Sequence, residues 1–200
     1  MSYQEFLNSV KARRTYYGIS NEAIVPENVV ESIVEQAVKY APSSFNSQSS
    51  RVVVLFGKQH EKLWNIAKEA LRKIVPAEAF AQTEEKIDSF KAGYGSVLYF
   101  EDQTVIKGLQ ESFPPYAANF PVWSNHSSGM LQFVVWTALE QTGLGASLQH
   151  YNPLIDADVK KEWNIPESWS LLAQMPFGKP VAQPGEKEFA PIETRMKVYR

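Results

Sequence analysis

The chain of 200 residues contains no cysteine. Disulfides, thiolate nucleophiles and cysteine-ligated zinc are therefore excluded. Histidine is scarce: His60, His126 and His150 are the only three, and they lie far apart without metal-ligand spacing. There is no G-x-G-x-x-G after a strand-like segment, which argues against a Rossmann dinucleotide site, and no G-x-x-x-x-G-K-[ST], which excludes a P-loop. A G-x-S-x-G nucleophile elbow is also missing. Charge of one sign is not in surplus: a formal net charge of −2 implies no broad affinity for nucleic acid or anionic membrane. No apolar run is long enough to span a bilayer. The opening "MSYQEFLNSVKARRTYYG" lacks the uninterrupted apolar core of a signal peptide. The expectation is a cytoplasmic soluble protein with no nucleic-acid or membrane partner. If it is an enzyme, its reactive chemistry belongs to a bound cofactor rather than to side chains.

What is present is a soluble globular composition, 44% apolar and 21% charged, with five tryptophans among 12% aromatic residues. The length suits one domain over residues 1–200 with a substantial core, and no repeat or linker divides it. Residues 2–12 read as a short helix with Phe6, Leu7 and Val10 on one face. Pro26 and Glu27 suit a first helical turn, and Val29, Val30, Ile33, Val34, Ala37 and Val38 repeat at helical spacing up to Tyr40. "RVVVLF" (51–56) reads as a buried strand, 58–73 and 76–92 as amphipathic helices, and "GSVLYF" (95–100) as a second strand. The segment from Ser127 to Thr142 is the strongest helix, capped by Ser127 or Ser128 and ended by Gly143. It is apolar nearly all round, which points to burial on all sides and to packing against a second subunit. "GLGASLQ" (143–149) reads as a strand, 153–163 as a helix, and 169–178 as a strand, with an extended tail at 193–200 that could join a sheet edge. Helices and strands mix without βαβ alternation, so the class is α+β with a central sheet.

Two polar clusters stand out. In "KARRTYYG" (11–18), Arg13, Arg14 and Thr15 close the first short helix. Paired guanidinium forks with a hydroxyl can grip a phosphate; the plain alternative is a solvated basic turn. In "PSSFNSQSS" (42–50), seven small polar side chains crowd one connection. Serines in turns bond their own backbone, but Asn46 and Gln48 add amides that suit the edge of a heterocycle with C=O and N–H groups. Together they suggest a phosphate grip and a heteroaromatic edge reader. His150 reads either as a ligand neighbour or as a satisfied core histidine. The aromatic loop "PPYAANFPVWSNH", with Tyr116, Phe120 and Trp123, reads either as a substrate-stacking lid or as interface packing.

"ARRTYYG", then a helix, then "APSSFNSQSSRVVVL", resembles the nitroreductase family of FMN-dependent oxidoreductases. "EQTGLGASLQ", "FGKP" and "KEFAPIE" resemble later family segments in the right order, so the likeness covers nearly the whole chain. The short length, "GASLQHYNP" and "ETRMKVY" further resemble the compact branch that includes the fungal fatty-acid-repression-mutant proteins. The resemblance implies a three-layer α/β/α fold with a mostly antiparallel central sheet, a long buried helix at a dimer interface and a C-terminal extension. It implies FMN contacted at its phosphate and ring by Arg13, Arg14 and Thr15, and covered by the loop of Ser43, Ser44, Asn46 and Gln48 from a second subunit. Leu148, Gln149 and His150 match the backbone passing near the ring's reactive edge, and Lys187 a C-terminal phosphate contact. Three departures stand out. Tyr17 and Phe189 occupy positions that are usually basic, and Ser49-Ser50 stand where the family has Pro-Trp.

By the same resemblance, the function is ping-pong hydride transfer from NAD(P)H to nitroaromatic, quinone or similar planar acceptors in a homodimer. No protein acid or base is named, and solvent delivers the protons. Two alternatives belong to other classes: a flavin-binding sensor or regulatory protein of redox or lipid stress with little turnover, and a cofactor-free interaction module.

Overall fold

A computed structural model describes residues 2–200. The first helix, α1 (Tyr3–Ala12), starts where Ser2 and Glu5 form a reciprocal capping box. A two-residue strand β1 (Ile19–Ser20) and helix α2 (Glu27–Tyr40) follow. After the polar connection come β2 (Ser50–Phe56), α3 (Gly57–Arg72), α4 (Phe80–Lys91), β3 (Gly95–Asp102) and α5 (Gln103–Ser112). The second half holds α6 (Phe120–Gln141), β4 (Gly145–Ala146), α7 (Asp156–Trp163) and β5 (Trp169–Pro180).

The strands form one sheet in the order β1-β5-β3-β2, with β4 also on β5, and every pairing among them is antiparallel. Alternation along β3 sends Val97 and Tyr99 to one face and Leu98 and Phe100 to the other. The first face is covered by α2 and α6, through Val30, Val34, Leu131, Val135 and Leu139. The second is covered by α3, α4 and α7, through Leu63, Trp64, Ile87, Phe90 and Val159. Helices on both faces explain why β3 is a nearly continuous apolar run and why the middle of β5 is buried on both faces. The result is a three-layer α+β fold with a mostly antiparallel sheet.

Several expectations need correction. The long helix begins at Phe120, seven residues before Ser127, with Pro121 in its first turn. Proline is suited there because its missing N–H has no helical partner at that position. The aromatic stretch from Phe120 onward is thus helix, not loop. Ser127 is no cap: it lies within the helix and its hydroxyl donates to the Trp123 carbonyl at 3.0 Å. Gly143, at φ +87°, does follow the helix end. In the single chain α6 leaves Met130, Phe133 and Val134 exposed, so the expected burial on all sides would need the second subunit. The expected strand at 143–149 shrinks to β4 plus a bridge between Gln149 and Gln174. The stretch 76–92 opens with a short 3-10 turn, Ala77–Ala79, before α4. The tail past Pro180 joins no strand and is largely exposed. Helix α5 was not expected: it buries only Ile106 and is started by Asp102, whose side chain accepts from the Thr104 N–H at 3.0 Å. Among the described residues no helix is long and apolar enough to cross a membrane.

Candidate functional site

The basic turn leaves α1 and runs beside β4. Thr15 bridges Ala146 in parallel, and the Tyr16 N–H donates to the Ala146 carbonyl at 3.0 Å. Gly145 makes this approach possible, because a Cβ there would meet the Tyr16 ring at 2.7 Å. The "GLG" of the sequence thus serves close packing under the arginines. Arg13 lies over the Trp136 ring of α6, 4.3 Å from its centroid, while Arg14 donates to the Gly185 carbonyl and ties down the C-terminal segment. Glu140, one helical turn after Trp136, faces the same turn and accepts from the Tyr16 hydroxyl at 3.3 Å. Burial pushes the Glu140 carboxyl upward, against the Tyr16 bond and the nearby arginines. Burial also lowers the Arg13 pKa, although Glu140 opposes that. Three buried polar atoms here have no partner: Arg13 Nη1, Trp136 Nε1 and Glu140 Oε2. A buried guanidinium N–H without an acceptor is costly. An anion laid against the turn would supply that acceptor, so the residues fit a phosphate.

The second cluster sits at the other end of α6. Phe45, Asn46 and Gln48 all adopt positive φ, at 58°, 49° and 50°. Asparagine tolerates this region, but for Phe45 and Gln48 it costs on the order of 1 kcal/mol each. The serines hold the shape. The Ser43 hydroxyl accepts from the Gln48 N–H at 3.0 Å, and the Ser43 carbonyl accepts from the Asn46 N–H at 2.9 Å. The Ser44 carbonyl accepts from the Ser47 N–H at 3.1 Å. Ser49 and Ser50 both donate to the buried carboxylate of Glu101 on β3. The hydroxyls therefore mostly build the loop, as the plain reading expects, and the amide side chains of Asn46 and Gln48 are left exposed at its surface. The cavity behind the loop, lined by Pro42, Ser43, Gln48, Arg51 and Ser127 among others, measures about 210 Å³. That is below the roughly 300 Å³ of small-ligand pockets, so a tricyclic ring would lie against the loop rather than inside it.

Phe45 carries the loop's ring into an aromatic group. Its centroid is 4.8 Å from Phe113, 5.4 Å from Phe120 and 6.3 Å from both Tyr116 and Trp123. These rings come from the loop, the α5–α6 connection and the first turns of α6.

The structure thus gathers Arg13, Arg14, Thr15 and the 145–149 segment at the C-terminal end of α6. It sets Ser43, Ser44, Asn46 and Gln48 at the N-terminal end. Trp123 and Trp136 mark the two ends, and at 1.5 Å rise per residue about 20 Å of helix axis separates them. Leu148 is half-buried, and Gln149 is buried with its amide donating to the Ser147 hydroxyl at 3.0 Å. His150 is exposed, so it is not a core histidine. Lys187 is exposed too, with its ammonium 5.4 Å from the centre of the Phe189 ring. Sequence reasoning missed Trp136 and Glu140 as neighbours of Arg13, and Glu101 as the anchor of the serines. Spacing carries no sign of them, because each contact joins distant parts of the chain.

An antiparallel sheet between two helical layers, with a basic turn and a hydroxyl-amide loop at opposite ends of one long helix, is the nitroreductase-like fold. The chain belongs to the nitroreductase family, whose model matches residues 10–179. Nitroreductase FRM2 of Saccharomyces cerevisiae is 37% identical over 198 residues, covering 97% of this chain and 96% of its own. Among solved structures, the nitroreductase CinD of Lactococcus lactis with chloramphenicol superposes at a TM-score of 0.90 and 45% identity, covering 98% of this chain and 100% of that one. CinD has also been solved with 4-nitrophenol. A Desulfovibrio desulfuricans protein solved with FMN shares the fold at a TM-score of 0.70 and 17% identity, over 97% of this chain and 96% of that one. Family and fold support an oxidoreductase acting on nitro compounds.

Proposed function

We propose that this chain is a cytoplasmic, homodimeric, FMN-dependent oxidoreductase that uses NAD(P)H to reduce nitroaromatics, quinones or similar planar acceptors. When bound, FMN supplies a ring that takes a hydride from NAD(P)H and passes it to the acceptor in a ping-pong cycle. The observation that carries the reading is the unpartnered, buried Arg13 Nη1 beside Arg14 and Thr15. An FMN phosphate is an anion of the right kind for that vacant donor.

The chain's residues then divide the work. Arg13, Arg14 and Thr15 hold the phosphate. The backbone at Leu148 and Gln149, pinned where Gln149 exchanges bonds with Gln174 at 2.7 and 2.9 Å, forms a rail for one edge of the ring. His150, exposed at the end of that rail, would line the mouth of the site. In the second copy, Ser43 and Ser44 shape the loop from which Asn46 and Gln48 present exposed amides to the ring's polar edge. Phe45 and Trp123 offer apolar faces on which a planar acceptor stacks. Lys187, on the exposed tail near Gly185, adds positive charge toward the phosphate end.

The second copy is invoked because α6 leaves Met130, Phe133 and Val134 exposed, and Val134 lines an apolar groove with Ile33, Gln36 and Tyr40 of α2. An apolar strip of that kind marks an interface. Purification followed by light scattering and absorbance spectroscopy tests the reading. The expected result is a yellow dimer with one FMN per chain that oxidises NAD(P)H when a quinone or 4-nitrophenol is added. A colourless monomer that takes up no added FMN refutes it.

A further inference from the structure

Glu101 is an acidic side chain near the end of the inner strand β3, only 1% exposed, and nothing in the proposed chemistry uses it. Its two carboxylate oxygens accept from two consecutive residues, Ser49 to one oxygen and Ser50 to the other. Ser50 stands directly across the ladder from Glu101, and the Asp102 N–H donates to the Ser49 carbonyl at 2.9 Å. In an extended strand, neighbouring side chains point to opposite faces. One carboxylate can gather both hydroxyls only where the strand ends and the chain turns. Glu101 therefore marks the point at which the loop holding the left-handed residues Phe45, Asn46 and Gln48 meets β2. Arg51 reinforces the same point, donating to the Gln48 carbonyl at 2.7 Å while pairing with Asp102 at 3.1 Å.

We propose that Glu101 is a positioning residue for the flavin-contacting loop: its buried carboxylate, through Ser49 and Ser50, fixes the conformation in which residues 43–48 meet the ring. The proposal rests on the reading of that loop as a flavin contact. Positive-φ residues persist only where their surroundings over-determine them, and the Glu101 bonds tie the loop's C-terminal end to β3. A carboxylate is stronger here than a neutral acceptor, since hydrogen bonds to a charged group are about twice as strong. Serine at 49 and 50, where the family pattern has Pro-Trp, supplies the two hydroxyls that the carboxylate takes. Burial raises the Glu101 carboxyl, while both serines and Arg51 lower it and Asp102 raises it.

The test uses the full-length protein with Glu101→Ala, Glu101→Gln, Ser50→Ala and Ser50→Thr. FMN affinity is read by fluorescence titration, and loop order by amide hydrogen exchange. Glu101→Ala should weaken FMN binding about tenfold or more. It should speed exchange at residues 44–50 while leaving the β3–β5 ladder at wild-type rates. Glu101→Gln and Ser50→Ala should give smaller losses, and Ser50→Thr, which keeps the hydroxyl, should restore both readouts. Should Glu101→Ala not fold, the Ser50 pair carries the test alone. FMN affinity and loop exchange within twofold of wild type would overturn the proposal. So would exchange that accelerates evenly over the whole sheet, which would make Glu101 an ordinary core group. A wild-type protein that takes up no FMN refutes the functional reading instead, and the exchange pattern still decides whether Glu101 holds the loop.

Discussion

Arg13 lies across the face of Trp136 with its guanidinium carbon 4.3 Å from the ring centroid, and one of its buried nitrogens has no acceptor. The stack fixes the plane of the guanidinium in advance, so little side-chain freedom remains to be lost when an anion arrives. Arg13→Ala should therefore weaken FMN binding by about ten- to a hundredfold, the equivalent of one hydrogen bond to a charged group. Folding should survive, because α1 buries no residue and Arg13 itself is only part-buried. A flavin titration and a thermal melt check the two halves. Unchanged affinity would remove Arg13 from the phosphate site.

Phe45 projects the loop's ring into the aromatic group of Phe113, Tyr116, Phe120 and Trp123 yet remains half exposed. Replacing Trp123, which lies nearly parallel to Phe45 at an interplanar angle of 20°, removes one wall of that surface. Trp123→Ala should raise KM for planar acceptors by about three- to tenfold, in line with one aromatic contact. The rate of flavin reduction by NAD(P)H should change little. Stopped-flow measurement of the two half-reactions separates them, and equal effects on both would deny an acceptor-specific role.

The parts of this molecule that were readable in the sequence are those decided by local pattern. The 3.6-residue period of Val30, Val34 and Ala37 and the apolar runs of β2, β3 and β5 appear where they were expected. What was hidden depends on long-range pairing or on conflicting local signals. Pro114, Pro115 and Pro121 read as loop, although Pro121 opens a 22-residue helix. Helix α5 has a short apolar stripe, Val105, Ile106 and Leu109, of which only Ile106 is fully buried in the core. The seven polar side chains of 42–50 looked like ligand groups, but Ser43, Ser49 and Ser50 are consumed in holding the loop. Their acceptor Glu101 lies about fifty residues away, and only the register of β2 on β3 brings it there.

His60 joins three elements in the lower core. Its Nδ1 is 2.9 Å from the Ser96 hydroxyl and its Nε2 3.2 Å from the Lys91 carbonyl, and Trp64 donates to the same Ser96 at 3.0 Å. Burial lowers the His60 pKa from 6.5 to about 4. The folded state favours the neutral ring, so this contribution is complete above pH 6.5 and is lost as pH falls toward 4. Between pH 7 and 5 that amounts to about 2 kcal/mol. Glu101, Glu140 and Asp156 are raised by burial and pull the other way, gaining stability as pH falls. Comparison with His60→Gln isolates the histidine. In denaturant unfolding, the wild type should lose about 2 kcal/mol more than the variant over that interval. Parallel losses would show that His60 is not the titrating group.

The separation of the two clusters along α6 makes a specific demand on a shared site. The basic turn packs near Trp136 and Glu140, and the hydroxyl-amide loop packs near Phe120 and Trp123, about 20 Å away along the axis. If each flavin takes its phosphate grip from one copy and its ring contacts from the other, lesions in the two clusters must complement between chains. One chain carries Arg13→Ala and Arg14→Ala; the other carries Ser44→Ala and Asn46→Ala. Each homodimer should bind FMN poorly. A heterodimer then has one site with both lesions and one site with neither, so tagged heterodimers should recover about half the wild-type flavin content. If both clusters served a site within one chain, every site in the mixture would keep a lesion. Heterodimers as colourless as their parents, with chain exchange verified by the tags, would refute the shared site.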